Sequence, residues 1–104
     1  MAITNFQVAA NTSTAAFTAS ADTAVTAIYI TNKSGSDGNV DVYVVPSGDT
    51  VGENFKVYNT LLVPATDTYV VDTEKLILEN GDKIYIAAPD SAAQFNATIS
   101  TIGL

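Results

Sequence analysis

The chain has 104 residues, 47% of them hydrophobic, with eleven carboxylates against four lysines and a net charge of −7. Such a length suits one domain that buries a core without cross-links, and such a surface is repelled by phosphate backbones and anionic membranes, so neither nucleic acid nor membrane is an expected partner. Cysteine and histidine are absent, which removes disulfides, thiol chemistry, the commonest general base and the commonest transition-metal ligand.

Threonine, valine and isoleucine are plentiful while leucine occurs five times. β-Branched side chains pack well on a pleated surface and lose χ1 freedom in a helix, so the bias favours strands. The N-terminus, MAITNFQVAA, has no basic region and no long apolar run. A chain without a secretion signal is therefore expected. Nowhere do apolar residues approach the ~20 needed for a membrane span.

Residues 1–22 read as an N-terminal arm or a pair of edge strands, and residues 23–104 as the main body of a single domain. Ile3, Phe6 and Val8 alternate loosely in the first stretch, and Asn11-Thr12-Ser13-Thr14 reads as a turn or loop. Ala15–Ser20 carries Phe17 as its one large apolar group; a short strand or a helical turn fits it. Thr23–Val45 reads as a β-hairpin: strand Thr23–Thr31, loop Asn32–Asn39, strand Val40–Val45. Ile28 and Ile30 then share one face, as do Val40, Val42 and Val44. Asp37-Gly38 in the loop is expected to supply the positive φ angles of a tight turn, and Pro46 ends the second strand.

Ser47–Asn54 is a polar loop with two glycines. Phe55–Leu62 follows as a strand with Phe55, Val57, Asn59 and Leu61 on one face. Thr68–Val71 is a strand closed by Asp72-Thr73. Glu79-Asn80-Gly81-Asp82 is the sharpest turn signal, because Asn-Gly favours two-residue hairpin loops. It predicts that Lys75–Leu78 pairs antiparallel with Lys83–Ala87. Pro89–Ala93 reads as a loop or one helical turn. Gln94–Ile102 is the last strand, with Phe95, Ala97 and Ile99 facing in.

Seven to nine short strands at regular spacing, with little or no helix, predict an all-β antiparallel sandwich, jelly-roll or immunoglobulin-like. Nothing points to catalysis. The chain lacks the S-x-x-K spacing of Ser-Lys acyl chemistry, and SGDTVG at 47–52 lacks the lysine of a phosphate loop. The carboxylate pairs Asp37/Asp41, Asp72/Glu74 and Glu79/Asp82 sit at or near predicted turns, where Asp bonds its own backbone. Asp37-Gly38-Asn39-Val40-Asp41 opens like a calcium loop, but valine stands at 42 and no glutamate closes it. No catalytic, cofactor-binding or metal residue is therefore expected. Asn11, Asn32 and Asn96 head sequons, which chance explains in a chain rich in Asn, Ser and Thr.

Tyr29, Tyr43 and Tyr85 each lie between two β-branched residues. With the aliphatic flanks facing in, the three rings point outward, and tyrosine is enriched at protein interfaces. The three either line one surface that a neighbouring subunit covers, or stand singly on a solvated sheet or under the chain's own N-terminal segment. Phe6, in the N-terminal segment, is the fourth interface candidate.

The series TAVTAIYITNKSGSDGNVDVYVVPSGDT, the LVPATDTYVVD step and KLILENGDKIYIAAPDSAAQFNATIS together resemble small structural proteins of tailed-bacteriophage virions. The likeness runs from Thr23 onward and its motifs are turn chemistry. It implies a β-sandwich present in many copies on a head or tail, with no catalytic residues. The function it implies is a capsid decoration (cement) protein bound through a sheet face or edge and an N-terminal arm. The implied partners are the major capsid protein or other virion proteins together with further copies of the chain, and the implied location is the virion, after synthesis in the host cytoplasm. The alternative is a tail, neck or fibre-associated β-sandwich that binds carbohydrate or a receptor.

Overall fold

The computed structural model describes residues 2–8, 12–71, 76–88 and 94–104. Nine strands run through them: β1 Ala2–Val8, β2 Thr12–Thr18, β3 Thr23–Asn32, β4 Gly38–Val45, β5 Lys56–Val63, β6 Thr68–Val71, β7 Leu76–Leu78, β8 Lys83–Ala88 and β9 Phe95–Gly103. The one helical element among the described residues is a single 3-10 turn, Glu53–Phe55.

The strands form two antiparallel sheets. One has the order β1-β9-β3-β6, with β7 also on β3; the other has the order β2-β8-β4-β5. We call them the β1 sheet and the β2 sheet. The pairs β1·β9, β2·β8, β3·β6/β7 and β4·β5 are nested one inside the next along the chain. This is a long antiparallel ribbon folded at its middle and rolled up, so the sandwich is a jelly roll and not immunoglobulin-like.

That topology corrects both predicted hairpins. β3 lies in the β1 sheet and β4 in the β2 sheet, so Thr23–Val45 is a crossing between layers. β7 pairs with β3, and β8 with β2 and β4, so the Glu79–Asp82 turn also joins the two sheets. Its geometry explains the misreading. A two-residue hairpin loop of the Asn-Gly kind needs positive φ at both central residues. Here Gly81 has φ 92° while Asn80 is not among the positive-φ residues, and Asp82 N–H bonds Glu79 O at 3.0 Å. This is the pattern of a type II turn, which reverses the chain without holding its arms side by side. Gly38, expected in a positive-φ turn, begins β4 instead.

Side-chain alternation sorts the core. Val25, Ile28, Ile30, Phe95, Ala97 and Ile99 from the β1 sheet meet Val40, Val42, Val63, Ile84 and Ile86 from the β2 sheet, all buried. The N-terminal stretch belongs to the same body. β1 and β2 are edge strands of the two sheets, and Val8 and Ala16 are buried in the common core. Thr12–Thr14, predicted as a turn, lies in β2. The predicted features at Asn11, Asp72-Thr73, Glu74-Lys75 and Pro89–Ala93 lie outside the described residues.

β5 departs from its predicted alternation. Val40 pairs with Leu61 and Val42 with Tyr58, so Asn59 and Thr60 together oppose Asp41. This bulge flips the side-chain parity. Tyr58 and Leu61 both pack on the core, while Val57 and Asn59 are exposed.

Candidate functional site

Each predicted tyrosine points away from the core, but the three do not share a surface. Tyr43 on β4 stands directly opposite Tyr85 on β8, on the outer face of the β2 sheet. Tyr29 on β3 lies between Thr98 of β9 and Val70 of β6, on the outer face of the β1 sheet. Both sheets and the core between them separate Tyr29 from the other two. Phe6 pairs with the buried Ala97, and its half-buried ring packs against the core at the edge of the β1 sheet.

The outer face of the β2 sheet carries a polar cluster. Asp41, facing outward on β4, accepts the Thr60 N–H through Oδ1 at 2.7 Å, and its Oδ2 lies 3.5 Å from Lys56 Nζ. Lys56 also reaches Glu53 Oε2 at 3.1 Å and Asn59 Oδ1 at 3.3 Å. The same amine sits 5.6 Å from the centroid of the Tyr43 ring, a cation–π arrangement. Hydrogen bonding to Glu53 raises the Lys56 pKa above its ordinary value, with the Asp41 and Glu53 charges adding and partial burial opposing. Sequence reasoning missed this cluster. Asp41, Glu53, Lys56 and Asn59 come from a strand, a loop and a bulge, and no local motif joins them.

The outer face of the β1 sheet is the reverse case. No Asp, Glu or Lys occurs anywhere in β1, β3, β6, β7 or β9. Ile3 (65% exposed), Tyr29 (41%), Val70 (42%), Ile77 (63%) and Ile102 (41%) stand out from that face. Between them lie uncharged polar side chains such as Asn5, Thr31, Asn96 and Thr98. Thr98 donates to Asn5 Oδ1 at 2.7 Å, and Thr31 and Thr68 hydroxyls bond at 2.9 Å. Among the described residues the charges sit in connecting segments and on the β2 sheet instead.

Three of the candidate acid groups, Asp37, Asp41 and Asp82, have structural partners. Asp37 accepts the Ala65 N–H at 2.9 Å, so the two carboxylates of the calcium-like stretch serve different backbone segments. Asp82 accepts Ser47 N–H and Glu79 N–H, each at 2.9 Å. Those two bonds lower its pKa below the ordinary carboxylate value. The Asp72/Glu74 pair lies outside the described residues. Asn32, head of one sequon, is fully buried: its amide donates to Ser36 O and Val63 O, and its oxygen accepts from Ser34. A cleft of about 300 Å³ between the sheets is lined by Ile28, Val42, Val57, Tyr58, Val71 and Leu76, which offer one phenol and no carboxylate or amine.

No helix among the described residues is long and apolar enough to cross a membrane. No protein-family model matches the chain, and no curated protein does.

Proposed function

We propose that this chain is a non-enzymatic structural module of a tailed-phage virion, a capsid decoration (cement) protein that seats on the particle through the outer face of the β1 sheet. The supporting observation is that face itself. A solvated sheet face on an acidic protein ordinarily carries charge. Here the strands have none, and Ile3, Tyr29, Val70, Ile77 and Ile102 project from them. Uncharged, aliphatic and aromatic composition is that of the buried centre of a protein interface. Jelly rolls serve both viral shells and lectins, so the fold is compatible with the reading without choosing it. With Ala2–Val8 paired along its whole length to β9, contact through a sheet face is better supported than contact through an arm.

The carbohydrate-binding alternative draws on the side-by-side Tyr43 and Tyr85. It has less support, because Lys56 already stands over the Tyr43 ring where a sugar would stack.

The decisive experiment is mass spectrometry with copy counting on purified particles, paired with a Tyr29→Glu, Val70→Lys variant. The variant is expected to unfold at the wild-type temperature and to be lost from particles. Purified particles without the chain, or particles that retain the variant at full copy number, overturn the reading. A monomer whose thermal stability rises with glycan would favour the alternative.

A further inference from the structure

A jelly roll has four sheet edges, and natural proteins blunt such edges with charges, bulges, prolines or breaks. Three of the four are blunted here. β2 carries an extra residue at Ala16 relative to β8. β5 carries the Asn59-Thr60 bulge and Lys56. The β6/β7 edge is split into strands of four and three residues.

β1 shows none of these devices. Its seven residues, AITNFQV, contain no charge and no proline, and they pair with β9 in unbroken register from Ala2↔Thr101 to Val8↔Phe95. Among the described residues, no strand lies on its other side. Phe6 belongs to the core but stays only half-buried, as expected for an inward ring at an open edge.

We propose that β1 pairs antiparallel with β1 of a second copy, about a two-fold axis through Asn5, so that the two β1 sheets become one continuous sheet. Asn5 is the middle residue of Ala2–Val8, so full-length pairing places it opposite its own counterpart. The N–H and C=O groups on the open side of β1 then find partners, and each Phe6 is covered by the partner's strand.

Charge selects a second copy as the occupant. Two chains of net charge −7 repel wherever carboxylates meet. An uncharged strand bordering an uncharged sheet face gives such a pair a contact free of that repulsion. A basic partner would be drawn instead to the acidic turns. The isologous pairing is self-complementary, as a two-fold contact requires. The proposal does not depend on the virion reading, since the dimer is a property of the purified chain.

Sedimentation equilibrium of the full chain, up to about 1 mM, tests it. The wild type is expected to dimerise, and more tightly as salt screens the like net charges. Asn5→Asp and Asn5→Lys each set like charges face to face across the axis and should raise the dissociation constant roughly tenfold. An equimolar mixture of the two should recover a dimer, now a heterodimer. Tyr29→Glu, on the face and not the edge, should leave the constant unchanged. Amide exchange adds a check free of mutation: β1 amides should gain protection with rising protein concentration. A chain that stays monomeric throughout overturns the proposal. So does a dimer that ignores both Asn5 variants, or a mixture that fails to recover one.

Discussion

The Asp41 carboxylate accepts the backbone N–H of Thr60 at 2.7 Å, at the point where β4 and β5 lose register. Thr60 holds φ at 56°, a left-handed conformation that a β-branched residue adopts at a cost. One side chain therefore holds a strained bulge and also anchors Lys56. Asp41→Ala should destabilise the fold by about 2 kcal/mol, through the lost bond and the stranded partners. Asp41→Asn keeps an acceptor for Thr60 and should cost less than half of that. Urea unfolding of the two variants measures the difference.

Asp82 makes stability depend on acid. Its folded-state pKa lies below the ordinary 3.8 because two backbone N–H groups bind the ionised carboxylate. The unfolded chain then binds the proton more tightly, so stability rises with pH across that window. The contribution is complete above the ordinary value and is lost as pH falls through the folded-state pKa. Thermal unfolding followed between about pH 2 and pH 6 should show a shallower acid limb for Asp82→Asn than for the wild type.

Gly81 is held against Ser47. A Cβ built on Gly81 would stand 2.8 Å from Ser47 Cβ and closer still to its hydroxyl, and the φ of 92° disfavours any side chain there. Gly81→Ala should cost roughly 2 kcal/mol or more, part from the backbone and part from overlap. Ser47→Gly removes the overlap alone. In a double-mutant cycle the pair should therefore be more stable than the sum of the singles predicts. Strict additivity would mean that the two residues are not in contact.

Asn32 is fully buried, with both amide donors on carbonyls: Ser36 O at 2.8 Å and Val63 O at 2.9 Å. Asn32→Asp replaces that donor with a carboxylate oxygen, setting an acceptor against two carbonyl acceptors and burying a charge, so it should cost about 3 kcal/mol or more. Asn32→Ala leaves the carbonyls unpaired without adding repulsion and should cost less. Chemical denaturation ranks the two.

Alternation made the strands legible. Phe95, Ala97 and Ile99 face in as the period of two requires, and so do Ile28 with Ile30 and Ile84 with Ile86. Sheet membership was not legible. A turn residue such as Gly81 reports that the chain reverses, and its preference is the same whether the arms pair or part to opposite layers. The bulge at Asn59-Thr60 was equally hidden, because Asp41 holds it from another strand. For the same reason the tyrosines looked like one surface. Their outward direction follows from alternation, but which of them are neighbours depends on strand order. The uncharged sheet was written plainly in the composition of its strands, yet it could be seen only once those strands were known to lie together.

The nested pairing also fixes the order in which the molecule can be completed. β9 lies between β1 and β3, so the hydrogen-bonding needs of the earliest strand are met by residues 95–101. While the ribosome is still adding that segment, the β1 sheet lacks the strand that joins β1 to β3, and β1 lacks its one neighbour among the described strands. Closure at such sequence separation is slow, on the order of milliseconds to seconds. During that interval the emerging polypeptide shows sticky strands on both of their margins, so the nascent chain, more than the finished one, is where shielding by a chaperone has most to offer.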